Sequence, residues 1–275
     1  MIAMAQEVDP LDTGWTALRA FFTEGAPALD RAIDALERAQ AGVRGLGDPS
    51  TLTLWLLGVS IAFQYTRRPE PMETGLERAR ELVNLTARAQ DEAATIPYRV
   101  LVEAIYRDLA DVVPAGASAY LATGLDYSDR TLRLARKAAR EEWLAAAAAS
   151  RADLLVRQAG GDRRAIRRAV ALHEDARSRW SARDPSGRAQ ASLGYVDALL
   201  AVGEAGKAEV VSREALAVFA AHGDRFHEAA GHLHLARALF ALDQDEALDA
   251  QAASISLYRM LGCRWELAQA ERALE

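Results

Sequence analysis

Cysteine is almost absent from this chain. Cys263 stands alone in 275 residues, which excludes a disulfide framework and any cysteine-based metal site. Lysine is nearly as scarce: Lys137 and Lys207 are the only two, so arginine carries almost all the positive charge. Strand signals are missing as well. There is no sustained alternation of Val, Ile, Thr and Tyr, and no Asn-Gly or Asp-Gly hairpin turn. The longest apolar stretch, Leu52 to Phe63, runs for about a dozen residues, too short to span a bilayer. The net charge of -6 lacks the basic excess that general binding to nucleic acid or to an anionic membrane requires. Met1 to Pro10 has acidic residues and no basic-then-apolar pattern, so it does not read as a secretory signal. A cytoplasmic, all-α protein is the expectation, without nucleic-acid or membrane partners.

What the chain does have is a period. Trp180, Phe219 and Tyr258 stand thirty-nine residues apart, and each is followed four residues later by a turn residue, Asp184, Gly223 or Gly262. Eleven residues before each aromatic sits an alanine: Ala169, Ala208 and Ala247. A fixed interval of this size marks a stacked-repeat architecture, in which no unit can bury its apolar face alone. Alanine-rich helices also suit close packing, since hydrophobic residues make up 51% of the chain but aromatics only 7%.

Helical runs alternate with short turn signals along all 275 residues, and no stretch reads as a domain linker. First helices are expected at 12–23, 50–66, 95–113, 141–159, 187–203 and 226–242. Second helices are expected at 27–45, 71–90, 117–138, 163–182, 206–222 and 245–261, with a last helix at 264–274. Asp48-Pro49 and Asp184-Pro185 read as caps followed by a first helical position. Gly45, Gly160, Gly203 and Gly223 fall where a helix must end, and Pro69, Pro71 and Pro114 between helices. Apolar residues recur at the helical period, as in Leu29, Ile33 and Leu36 or Leu193, Val196, Leu199 and Leu200. Between Ser118 and Gly160 there is no proline, so Ala138–Glu142 must turn without glycine or the helix runs on.

Ala191-Ser192-Leu193-Gly194, then Leu199-Leu200-Ala201-Val202-Gly203, then Ala208 and Ala215-Leu216, resembles the tetratricopeptide-repeat motif. Trp180, Phe219 and Tyr258 match that motif's aromatic near the end of the second helix. The amino half (Leu29-Asp30-Arg31-Ala32-Ile33, Gly47-Asp48-Pro49) is looser and longer in period. Asp197 departs from the pattern, which has a small residue there. The long period is similar to actinobacterial arrays that accompany caspase-like protease or DNA-binding regulator domains. The resemblance implies a single right-handed α-solenoid over residues 1–275, about six antiparallel helix pairs and a carboxyl-terminal helix, whose first helices line a concave groove for a peptide or partner helix. It carries over no catalytic residues.

Candidate sites follow from side chains beside the apolar stripes. A shift of thirty-nine residues maps His227, Gly231 and His234 onto Arg188, Ser192 and Tyr195, two polar or small sets on consecutive first helices. They read either as a groove-lining strip or as side chains spanning a helix seam with their tips in water. His227-Glu228-Ala229-Ala230-Gly231-His232 places its second histidine one residue too far for the zinc-protease spacing, which needs histidines at i and i+4. Arg133, Arg136, Lys137 and Arg140, followed by Arg164, Arg167 and Arg168, form a central basic concentration. That strip reads as an anion-binding surface or as a solvated face paired with Asp129, Glu141, Glu142, Asp162 and Glu174. The remaining acids read as exposed helix charges. No glycine-rich phosphate loop or nucleophile elbow is present, and no metal, cofactor or catalysis is expected. The function expected is a scaffold holding a partner protein, with a regulatory array self-associating as a homodimer through the final helix (Trp265, Leu267, Leu274) as the alternative.

Overall fold

Helices in this chain start where a side chain can accept free amides and stop where the backbone can turn left-handed. The computed structural model describes residues 9–89, 92–180 and 184–274, so the reading of Met1–Pro10 lies outside them except at Asp9 and Pro10. Asp48 accepts from the amides of Ser50 and Thr51, and Asp184 from Gly187, with Pro49 and Pro185 next in line. Gly203, Gly223 and Gly262 end their helices in the left-handed region.

Among the described residues these form six antiparallel hairpins and a final helix. The first pairs α1 (Pro10–Glu24) with α2 (Ala26–Leu46), and the second α3 (Pro49–Tyr65) with α4 (Pro69–Ala89). Next come α5 (Ile96–Val112) with α6 (Ala117–Ala138) and α7 (Glu141–Gln158) with α8 (Arg163–Arg179). The last two are α9 (Pro185–Val202) with α10 (Ala205–His222) and α11 (Arg225–Phe240) with α12 (Glu246–Leu261), followed by α13 (Arg264–Glu271). Three local expectations shift. Gly47, not Gly45, takes the left-handed turn after α2. Pro69 and Pro71 lie in the first turn of α4 and not between helices. Ala139 supplies the glycine-free turn with φ of 52°, so the helix does not run on.

Hairpins stack through small side chains: Ala169, Ala208 and Ala247, the repeated alanines, are all buried. First helices pack side by side in order, α1 on α3, α3 on α5, α5 on α7, α7 on α9 and α9 on α11. The solenoid is therefore present, and its two ends meet, because α1 also packs on α11. Phe21 of α1 touches Tyr65 of α3 and Phe226 of α11, with ring centroids 5.0 Å apart in both cases. Tyr258 and Leu261 of α12 share the same core. Each such fully buried side chain contributes about 1.5–3 kcal/mol by transfer free energy.

The ring closes so tightly that one glycine is required. A Cβ at Gly25, in the α1–α2 turn, would lie 2.0 Å from the carbonyl oxygen of Leu261. Its φ of 81° also suits only glycine. The final helix takes part: Leu267 packs on the first hairpins' core, and the Arg67 guanidinium lies 5.2 Å from the Trp265 ring. Of the residues that the sequence offers for self-association, Leu267 meets the amino-terminal core, Trp265 lies against Arg67 and Leu274 packs on α11 and α12, and all three stay half-buried.

Candidate functional site

First helices turn one face inward, and in a closed ring these faces converge. The carboxyl-terminal parts of α3, α5, α7, α9 and α11 bring charged side chains there. Asp108 of α5 accepts from three directions: Arg67 Nη1 at 2.6 Å, Gln64 Nε2 at 2.8 Å and Arg107 Nε at 2.7 Å. Arg67 also donates through Nε to Glu266 of α13 at 2.9 Å. Arg107 Nη1 donates to Asp153 of α7 at 3.0 Å, and His173 Nε2 lies 3.3 Å from the other oxygen of that carboxylate. Arg157 of α7 reaches back to both oxygens of Asp111 at 3.1 Å. On α9, Asp197 accepts from Arg237 of α11 at 2.7 Å and lies 3.3 Å from His234 Nε2. The result is a band of alternating arginines and carboxylates that follows the inside of the ring.

Burial alone would push these carboxyls up, and the arginines decide otherwise. Arg107 and Arg67 outweigh the desolvation of Asp108 and hold it far below the ordinary carboxylate range. Asp197 is held down in the same way by His234 and Arg237, with Arg157 adding to the field. Asp153 is lowered by His173 and then Arg107. Asp111 goes the other way, because its burial exceeds the pull of Arg157. Exposure is graded along the band. Side chains of Arg67 and Asp108 are 13% and 4% exposed, whereas those of Arg157 and Arg237 are 26% and 41%. One end is sealed beneath the ring closure and the other opens to solvent.

The expected strip of Arg188, Ser192, Tyr195, His227 and His234 is dispersed by this geometry. Only His234 lies in the band, and Arg188 is exposed. Tyr195 turns towards α8, where its hydroxyl donates to Glu174 at 3.0 Å, and burial followed by that bond pushes its pKa up to about 12. Ser192 donates to the Arg188 carbonyl oxygen at 2.8 Å and accepts from Arg177. His227 stacks between Phe22 and Phe219, at centroid distances of 5.5 and 5.4 Å, with Nδ1 2.7 Å from Asp224.

The basic strip divides in two. Arg133, Arg136 and Lys137 end α6 and Arg140 stands just before α7, whereas Arg164, Arg167 and Arg168 begin α8. The two groups occupy opposite ends of alternate, co-directional helices, about 25 Å apart at 1.5 Å per residue. None of the seven makes an ion pair among the described residues. The acids expected to neutralise them act elsewhere: Asp129 pairs with Arg151, Glu141 with Arg179, and Asp162 caps α8.

Sequence reasoning took the acids for exposed helix charges, and this is corrected by Glu103, Asp108 and Glu266, all buried. A signal existed in Asp108, Asp153 and Asp197, which recur at intervals of 45 (153 − 108) and 44 (197 − 153) on first helices. Asp197, the departure from the repeat motif, is thereby explained: it anchors the neighbouring repeat's Arg237. A separate cleft of about 460 Å³ lies over α3 between α2 and α4, floored by Trp55, Val59 and Phe63. Among the described residues no three His, Cys, Asp or Glu side chains converge as a metal site. No helix there is long and apolar enough to cross a membrane.

No protein-family model matches the chain, and no curated protein matches it. Solved structures do. A Rap protein complexed with Competence and Sporulation Factor superposes with a TM-score of 0.58 at 12% identity, over 95% of this chain and 79% of that one. A signal-transduction ATPase with a tetratricopeptide-repeat sensor from Pyrococcus horikoshii gives 0.56 at 17% identity, over 98% of this chain, which spans 40% of that one. BtubC from P. vanneervenii gives 0.54 at 18% identity, over 86% of this chain and 92% of that one. The chain has the tetratricopeptide-repeat type of α-solenoid fold.

Proposed function

We propose that this tetratricopeptide-type ring is a non-enzymatic scaffold that holds a segment of a partner protein against its inner charged band. The observation that supports it is the continuity of that band over consecutive first helices, with Arg157 and Arg237 half open at one end. Arginines already fixed by Asp111 and Asp197 lose little freedom when a ligand joins them, which favours binding. His234 flanks that end beside Asp197, while Tyr195 and Ser192 hold Glu174 and Arg177 of α8 in place and Arg188 stands exposed at the other end of α9. A similarly folded Rap protein in complex with a factor is consistent with the reading. To test it, a peptide library displayed on phage is panned against the purified chain. Selected peptides are expected to lose at least tenfold in affinity on R157A/R237A. Absence of any selectable peptide, or indifference to that double substitution, would overturn the assignment.

A second reading is favoured by the unneutralised cations of α6 and α8. Each group forms its own cationic docking patch for an acidic protein surface. Binding through R164, R167 and R168 would weaken steeply with salt, and R167E/R168E would abolish it while leaving peptide capture in the band unchanged.

A further inference from the structure

The closure of the ring differs from every other contact between neighbouring hairpins, because no short connection bridges it. Consecutive hairpins are tied by turns of a few residues, whereas α1 and α11 meet only through side chains. Breaking that contact separates no backbone segment of a helix, and its main cost is uncovering Phe21, Phe22, Phe226 and Tyr258. It also strands no charge. If α13 moves away, Arg67 keeps Asp108, Gln64 keeps Asp108 and His227 keeps Asp224, while the Glu266 carboxylate gains water. A buried ion pair that separates into one paired arginine and one solvated carboxylate escapes the main penalty of breaking such pairs.

Arg67 itself is held in a sparsely populated conformation. Its φ of 51° is left-handed for a non-glycine residue, as in the turns at Ala139 and Asp243, and at Arg67 side-chain contacts hold the turn in addition. Those contacts come from both sides of the seam: Asp108 on one, Glu266 and Trp265 on the other. The buried end of the inner band lies directly beneath them.

We infer that the seam between the first hairpins and α11–α13 is a latch fastened by Arg67, and that its opening admits the partner segment along the whole inner band. The gating half of this inference rests on the interaction reading above; the latch itself does not. In the closed form the band presents only its Arg157–Arg237 end. In the open form Arg67, Asp108 and Gln64 join that surface, lengthening it by the width of the α3–α5 contact.

The chain carries its own reporter. Cys263, the sole cysteine, is buried in the seam, where desolvation and then Glu266 push its thiol up to about 12. Its labelling by a thiol reagent under native conditions therefore reads seam opening. With rates compared at equal thiolate fraction, taken from the pH dependence of labelling because Glu266 raises and Arg67 lowers the thiol's pKa, Glu266→Gln and Arg67→Ala are expected to speed labelling at least tenfold with helical circular dichroism and the main thermal transition retained. Arg130→Ala, at an exposed pair on α6, is expected to leave the rate unchanged. An unaltered rate in both seam variants would overturn the latch, as would acceleration that appears only with loss of helicity. For the gate, A26C/G262C is made in a Cys263→Ala background, since the Ala26 Cβ lies 3.6 Å from where a Cβ on residue 262 would stand. A peptide selected on the band is expected to bind the oxidised form at least tenfold more weakly and to recover on reduction. Equal binding by the locked ring would sink the gate. Failure to select any peptide would count against the interaction reading, while the labelling result still decides the latch.

Discussion

The junction between the α9–α10 and α11–α12 hairpins and the seam between α1 and α11 do the same geometric job with different residues. The repeat junction relies mainly on small groups beside the Phe219–His227 stack: Ala208 and Ala238 are fully buried, and Gly231 lets the Leu216 side chain approach. The seam uses Phe21, Phe22, Tyr65, Phe226 and Tyr258, with Arg67 and Glu266 at its edge. Stacking along a chain needs only surfaces that fit at close range, since a short turn already holds them together. Closing a ring has no such help, and large apolar side chains with a charged clasp supply the attraction. Repetition builds the stack; exceptions to the repetition close it.

The sharpest way to break this contrast is to remove an aromatic from the seam. Phe21→Ala is expected to cost about 3–5 kcal/mol, read from urea denaturation, and to release the amino-terminal hairpins before the carboxyl-terminal ones. Two buried acids then separate the regions by pH. Asp108, clasped at the seam, has a folded pKa far below its unfolded value, so its contribution is present above about pH 4 and is lost as pH falls further. Glu103 lies between α5, α6 and α7 and accepts from Ser150 at 2.7 Å, with Thr131, Arg99 and Arg151 near but no ion pair. Burial raises it to about 7, so stability falls as pH climbs from its unfolded value near 4.5 through 7. Glu103→Gln should remove that decline, about 2–3 kcal/mol between pH 4 and 8, whereas Asp108→Asn should flatten only the acid limb. Equal pH profiles for the two variants would erase the distinction.

At the repeat junction the expected damage is smaller. Ala208→Leu overfills a closed contact and should cost about 1–3 kcal/mol, with the seam unaffected as read by Cys263 labelling. Least of all, Arg130→Ala on the outer face should change stability by less than about 0.5 kcal/mol.

The stack is legible in the sequence itself. Ala169, Ala208 and Ala247 and the aromatics eleven residues on marked the hairpins, and Asp48-Pro49 and Asp184-Pro185 placed helix starts to within about two residues. Those features are local, since a cap or a helical stripe is decided within a few residues. Closure was not readable, because Phe21 and Phe226 stand two hundred and five residues apart (226 − 21) and nothing local pairs them. The inner band was half visible. Asp197 stood out as a break in the motif, yet its partner Arg237 belongs to the next repeat, at a spacing that varies with each turn. Tyr195 and His227 lay on the correct helices, but whether a ring tip faces the hollow or the adjoining second helix depends on a fraction of a turn.

Solution scattering of the native chain tests ring closure most directly. A closed ring should give a radius of gyration of about 20 Å, near the scaling for compact domains, with a single-peaked distance distribution. An open arc of six hairpins, with a radius above about 25 Å and an extended tail of long distances, would contradict the contact between first and last hairpins.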